Sequence, residues 1–200
     1  MKVRLEDKQG PRELLMAQEG RSEVTSGDIA TLHTTFNMMI GSYVWFVRTG
    51  PDAILRLEFG NPHLEIRKPL NARLDRRPSV IDSVERRIVT PTGQWHLFVE
   101  NGFWEIRTRR YSCSRAQSNA AAISQLDGQQ LMDVKISEQY CLRFVFDLGG
   151  VLCVRPPEEH AADCDWSDQD QWVLFSQNGN FLSLSNNNHV KCGTRRIRNR

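Results

Sequence analysis

Long apolar runs are missing from this sequence: no stretch approaches the roughly 18 uninterrupted apolar residues of a membrane-spanning helix. The start, Met1-Lys2-Val3-Arg4-Leu5-Glu6-Asp7-Lys8, also lacks the apolar run of a signal peptide. The expectation is a cytoplasmic chain with no membrane partner. Cysteine is sparse, and the five that occur (Cys113, Cys141, Cys153, Cys164, Cys192) form an odd, unpatterned set. A secreted disulfide framework is denser and even in number, so reduced thiols are expected. Catalytic signatures are absent as well: there is no glycine-rich phosphate loop, no Gly-x-Ser-x-Gly elbow and no His-Glu-x-x-His. These absences point away from an enzyme and imply no cofactor. Nor does one sign of charge dominate, with 26 Lys and Arg against 24 Asp and Glu.

What is present reads as a globular chain. Apolar residues make up 40% and charged residues 25% of 200 residues, the balance of a chain that can bury a core rather than stay disordered. The strongest pattern is alternation. Leu55-Arg56-Leu57-Glu58-Phe59, a turn at Gly60-Asn61-Pro62 and Leu64-Glu65-Ile66-Arg67 read as a hairpin. The order returns in Leu142-Arg143-Phe144-Val145-Phe146, a turn from Asp147 to Gly150, and Leu152-Cys153-Val154-Arg155. Matching approaches precede each, Gly41 to Val47 and Gly128 to Val134.

Further hairpins are expected at Asn101-Gly102, pairing Val99 with Trp104, and at Asn178-Gly179, pairing Phe175 with Leu182, because Asn-Gly suits a type I′ turn. The second register would bury Val173 and Phe175 and turn Trp172 outward. Ile29, Leu32, Phe36, Met39 and Ile40 recur at helical spacing, between Ser26 or Asp28 as N-cap and Gly41 as stop. Residues 79–88 suit a short helix or a strand.

The expected fold is therefore mainly β, a β-rich α+β chain: two tandem pseudo-repeats of antiparallel hairpins form a sandwich or paired half-barrels, with one N-terminal helix. The expected division is a loose arm at 1–27, a first β unit with its leading helix at 28–118, a second at 119–192 and a basic tail at 193–200.

Candidate sites fall into three groups. Glu158, Glu159, Asp163, Asp165, Trp166, Asp168 and Asp170 cluster carboxylates around one tryptophan, a composition that suits a basic protein partner, although a solvated loop has the same look. Arg73, Arg76, Arg77, Arg107, Arg109 and Arg110 could grip phosphates of a nucleic acid, with Tyr111 and Phe103 as the aromatics beside them. His160, Cys164, His189 and Cys192 would suit tetrahedral zinc, but the tight Cys-x-x-Cys pair is absent and four ordinary side chains fit better. His63 and His96 read as solvent-facing strand histidines, and Cys141 and Cys153 as small core residues.

The recurring strand, Leu-x-Leu-x-Phe strand, glycine turn and apolar-x-apolar strand from Gly41 to Leu184 resembles small bacterial β-proteins of unknown function, some of them immunity proteins for contact-delivered toxins. That resemblance implies a stoichiometric protein binder, immunity-like or antitoxin-like, that blocks a partner, plausibly a basic toxin. It carries no catalytic residue over to this chain.

Overall fold

A computed structural model of the chain describes residues 26–69, 86–157 and 169–194. The chain is mainly β with one main helix, and neither large sheet closes into a barrel. Helix α1 (Ser26–Asn37) leads into β1 (Val44–Thr49), β2 (Leu55–Phe59), β3 (His63–Arg67) and β4 (Ile88–Thr92). Next come β5 (Trp95–Val99), β6 (Phe103–Arg107), β7 (Ser112–Ser114) and the short α2 (Ala120–Ser124). The chain continues through β8 (Leu131–Ile136), β9 (Leu142–Phe146), β10 (Val151–Arg155), β11 (Asp170–Ser176), β12 (Asn180–Ser185) and β13 (Val190–Thr194). A six-stranded sheet runs β1-β2-β5-β11-β12-β13, a five-stranded sheet runs β7-β6-β10-β9-β8, and among the described residues β3 pairs with β4 alone.

The helix follows its expected spacing. Leu32, Phe36 and Met39 are buried on one stripe, and Gly41 ends the segment at φ +86, a conformation that glycine adopts without a Cβ clash. Ile40, placed on that stripe from the sequence, is exposed. Phe36 joins the layers, with its ring centroid 5.5 Å from that of Phe144 in the five-stranded sheet and 5.7 Å from that of Trp172 in the six-stranded one. One continuous core cluster runs from Leu32 to Leu184 and takes residues from both sheets.

Two expected hairpins do not form. β2 pairs with β5 rather than β3, with Leu57 opposite Leu97 and Glu58 opposite His96. The Gly60-Asn61-Pro62 turn instead carries β3 away, and Gln94 Oε1 accepts the Asn61 N–H at 3.3 Å, bringing the start of β5 to that turn. The resulting β3–β4 ribbon presents exposed Leu64, Ile66 and Val89. Ile88, left open between helix and strand, opens β4.

Asn101-Gly102 is not a hairpin either. β5 and β6 belong to different sheets, and the N–H groups of Glu100, Asn101 and Gly102 all donate to the Gln171 carbonyl, at 2.9, 3.2 and 3.0 Å. A hairpin there would put Trp95, Leu97, Val99, Trp104 and Ile106 on one apolar face; Trp95 is half-buried and the other four are fully buried, but Leu97 and Val99 face Trp104 and Ile106 across the sandwich instead of lying beside them.

The Asn178-Gly179 hairpin forms with a register one residue off. Leu174 faces Leu182 and Phe175 faces Phe181, so three residues, Gln177-Asn178-Gly179, make the turn, with Gly179 at φ +79. A one-residue slip exchanges the two faces of a strand. Trp172 and Leu174 are therefore buried in the core, while Phe175 lies on the opposite face.

The outer edges of the two sheets meet where β1 and β8 begin. Gly41 N–H donates to Leu131 O and Leu131 N–H to Ser42 O. Val44 N–H donates to Gln129 O and Gly128 N–H to Val44 O, each bond at 2.8 Å. This exchange surrounds the Tyr43–Gln130 bridge and joins the sandwich along one side.

The register gives a direct test. Trp172→Ala should lower stability by about 3–5 kcal/mol, and Phe175→Ala by less than half of that. Urea unfolding of both variants checks the order, and the two-residue turn would reverse it.

Candidate functional site

Register determines what the six-stranded sheet turns away from the core. Trp45 faces Glu58, Glu58 faces His96 and His96 faces Phe175. One row over, Arg48 faces Arg56, Arg56 faces Phe98, Phe98 faces Val173 and Val173 faces Ser183. All of these side chains lie on the outer face, because Leu55, Leu57, Leu97, Val99 and Leu174 occupy the inner one.

The rings and guanidinium groups are in contact. The Arg56 guanidinium lies 4.9 Å from the Phe98 ring centroid, the His96 ring stacks on Phe98 at 3.9 Å, and Phe98 meets Phe175 edge-on at 6.0 Å. At the β1 end the guanidinium of Arg48 sits 3.7 Å over Phe46, which neighbours Trp45 at 6.3 Å. Phe46 reaches this face through a bulge, where the β1–β2 register shifts and its φ is +55. Trp45 is oriented by its indole N–H, which donates to Gly60 O at 2.9 Å. The aromatic rings are half-buried and both arginines exposed.

Beneath this band lies an ionisable pair. The Glu58 carboxyl is 3% exposed; its Oε1 is 3.1 Å from His96 Nδ1, and its Oε2 accepts the Gly93 N–H at 2.9 Å. Burial pushes the carboxyl up to about 7, against the pull of the Gly93 N–H and the Arg56 charge. Burial likewise pushes the His96 imidazole down to about 4, with Arg56 adding to the effect. Burial thus shifts both groups toward their neutral forms, with the two side chains 3.1 Å apart. His96 Nε2 is buried with no hydrogen-bond partner among the described residues, as is His63 Nδ1. His96 is therefore not the solvent-facing histidine expected from alternation.

The residues singled out from the sequence are dispersed. Of the acidic set, Glu158, Glu159, Asp163, Asp165, Trp166 and Asp168 lie outside the described residues. Asp170 opens β11, where its carboxylate accepts from Lys191 Nζ and Ser183 Oγ, both at 3.2 Å. Arg73, Arg76 and Arg77 also lie outside the described residues. Arg107 is on the outer face of the five-stranded sheet, bound to Glu105 through two hydrogen bonds of 2.8 and 3.0 Å. Arg109 and Arg110 occupy the β6–β7 turn, where Arg109 lies against Gly149.

His160 and Cys164 lie outside the described residues, His189 precedes β13 and Cys192 lies on it. Among the described residues no group of three or more His, Cys, Asp or Glu side chains is placed to hold a metal ion. Cys153 is half-buried on an outer face and Cys141 half-buried just before β9, whereas Cys113 is the buried core thiol. No helix among the described residues is long and apolar enough to cross a membrane.

The aromatic band did carry a sequence signal. Trp95-His96-Leu97-Phe98-Val99 does not alternate with polar residues, which marks a strand with apolar contacts on both faces.

The ionisable pair sets a pH dependence. A carboxyl whose folded pKa is raised stabilises the fold below its ordinary 4.5 and loses that contribution as pH rises through about 7. An imidazole whose folded pKa is depressed contributes above its ordinary 6.5 and loses that contribution as pH falls through about 4. The two slopes oppose each other between pH 4.5 and 6.5. Glu58→Gln removes the first, so its Tm relative to wild type should fall on acidification across that interval; a constant difference would exclude this account of the pair. No known family, curated protein or solved structure matches the chain.

Proposed function

We propose that this chain is a non-catalytic protein-binding module whose contact surface is the outer face of the six-stranded sheet. The observation that carries this reading is the composition of that face: Trp45, Phe46, Phe98 and Phe175 with Arg48 and Arg56, held in register on neighbouring strands. Aromatic residues and arginine dominate the energetic centres of protein interfaces, because they bury large areas with few rotatable bonds. Here the strands have already fixed much of that freedom. The cations exposed beside these rings are Arg48 and Arg56, so the matching surface offers carboxylates around an apolar centre.

An immunity-like or antitoxin-like inhibitor is the specific form of binder that the sequence resemblance implies. Its acidic contact set draws no support from the described residues, since Asp170 alone is among them and is bonded to Lys191 and Ser183.

A nucleic-acid interface is the second reading, favoured by the outer face of the five-stranded sheet. Arg107, Arg143, Arg155 and Lys135 share that face with Glu105 and Asp133, Arg155 lies 4.1 Å over Phe103, and Tyr111 stands 43% exposed in the adjoining turn. Such a face would bind a phosphate backbone in a steeply salt-dependent way.

Affinity capture of partners by the full chain, with and without nuclease, separates the two. A single stoichiometric protein should survive nuclease, and Phe98→Ala should weaken it by roughly 30-fold or more, the loss of about 2 kcal/mol at an interface centre. Capture that is abolished by nuclease, or that is indifferent to Phe98→Ala, would overturn the proposal.

A further inference from the structure

The inner face of the six-stranded sheet holds a second feature, at the end remote from β1. The five-stranded sheet and α1 do not cover it completely there, and a cleft of about 340 Å3 remains between α1 and the β12–β13 edge. Its wall is a helix stripe: Thr31, Thr35 and Met38 follow the i, i+4, i+7 spacing, each one residue before a member of the buried stripe Leu32, Phe36 and Met39. Its floor includes Trp95, Leu174 and Leu182, and its far wall is β13. Among the described residues no charged side chain lines it.

β13 is the last strand of its sheet, and among the described residues no strand pairs with its outer side. The direction of its backbone groups follows from the preceding turn. Ser185 N–H donates to His189 O at 3.0 Å, which makes those two residues a hydrogen-bonded pair. Hydrogen-bonded and non-hydrogen-bonded pairs alternate along an antiparallel ladder. Lys191 and Gly193 therefore exchange bonds with Ser183 and Phe181, while the N–H and C=O groups of Val190, Cys192 and Thr194 point outward. The same residues alternate in side-chain direction: Cys192 faces Leu182 and so turns into the cleft.

A row of outward-pointing backbone donors and acceptors beside a neutral, largely apolar groove has one fitting ligand chemistry. An added strand completes the ladder through its own backbone and places alternate side chains in the groove against α1. A helix pairs its own backbone groups internally and so would leave the outward donors and acceptors of β13 unused.

We propose that the groove between α1 and β13 binds an extended peptide segment of a partner protein, by strand addition to β13 with neutral, apolar side chains at alternate positions inserted toward Leu174 and Leu182. This site is on the opposite face of the sheet from the aromatic band, so either can fail without the other.

The test uses the full chain and a phage-displayed library of random peptides. Proline at Cys192 removes an outward N–H without removing a bond to β12, as tolerated on edge strands, and Thr35→Trp fills the groove from the helix side. Peptides selected on the wild type should alternate apolar residues and lose binding by tenfold or more on both C192P and T35W. Phe98→Ala should leave them bound. No enrichment, or enriched peptides that bind both variants unchanged, would overturn the proposal. A dimer of the chain that forms with rising concentration and is lost in C192P would also overturn it, by making a second copy the occupant. Unfolding curves matching wild type for at least one of the two variants exclude a trivial loss of fold.

Discussion

Everything in this sandwich depends on one corner. The backbone carbonyl of Gln171 accepts three consecutive N–H groups from Glu100, Asn101 and Gly102, and Asn101 Nδ2 adds a bond of 2.9 Å to the Asp170 carbonyl. The Gln171 side chain, fully buried, donates in turn to the Ser185 carbonyl at 3.0 Å. A chain that leaves one sheet for another must satisfy the backbone groups it withdraws from the ladder, because an unpaired buried amide costs about as much as a lost hydrogen bond. Here the strand that begins β11 supplies those partners. Gly102 has no room for more: a Cβ there would meet Gln171 O and Val99 Cγ1 at 3.2 Å.

That corner lets β5 lie in the middle of one sheet while β6 joins the other. Leu97 and Val99 then face the core from one layer, Trp104 and Ile106 from the opposite one, and Trp104 Nε1 is satisfied by Ala53 O at 2.9 Å. The β1–β8 exchange joins the same two layers along the side. The outer faces are released for other uses. The aromatic band, the basic face and the β13 groove are all by-products of how the strands are divided between the layers.

How much of this was legible in the sequence follows from what each signal encodes. The helix was legible because Leu32, Phe36 and Met39 repeat at its period, and most strands because their apolar residues alternate. Which residues enter the core was also largely legible, since hydrophobicity decides burial whatever the partner strand. Pairing was not. Asn101-Gly102 has the chemistry of a tight turn, but turn chemistry selects a hairpin only if both flanking strands bury their apolar faces in one layer. Trp104 and Ile106 gain more by facing Leu97 and Val99 across the core. At Asn178-Gly179 the hairpin is real, and one added turn residue was enough to exchange Trp172 with Phe175. The aromatic band is not legible for a related reason: alternation along β5 marks Leu97 and Val99 as core and turns His96 and Phe98 outward, and the rings and guanidinium groups that meet them on that face are visible only once the neighbouring strands are known.

The division of strands also governs when the molecule can take shape during its own synthesis. Leu97 in β5 faces Leu174 in β11, a residue 77 positions later. At translation speeds of roughly 5–20 residues per second, the central strand of the larger sheet waits about 4–15 s for its neighbour to leave the ribosome. Throughout that interval Leu97 and Val99 have a strand neighbour on one side only, in β2. A nascent chain of this design leaves one side of its central strand unpaired until β11 has been synthesised.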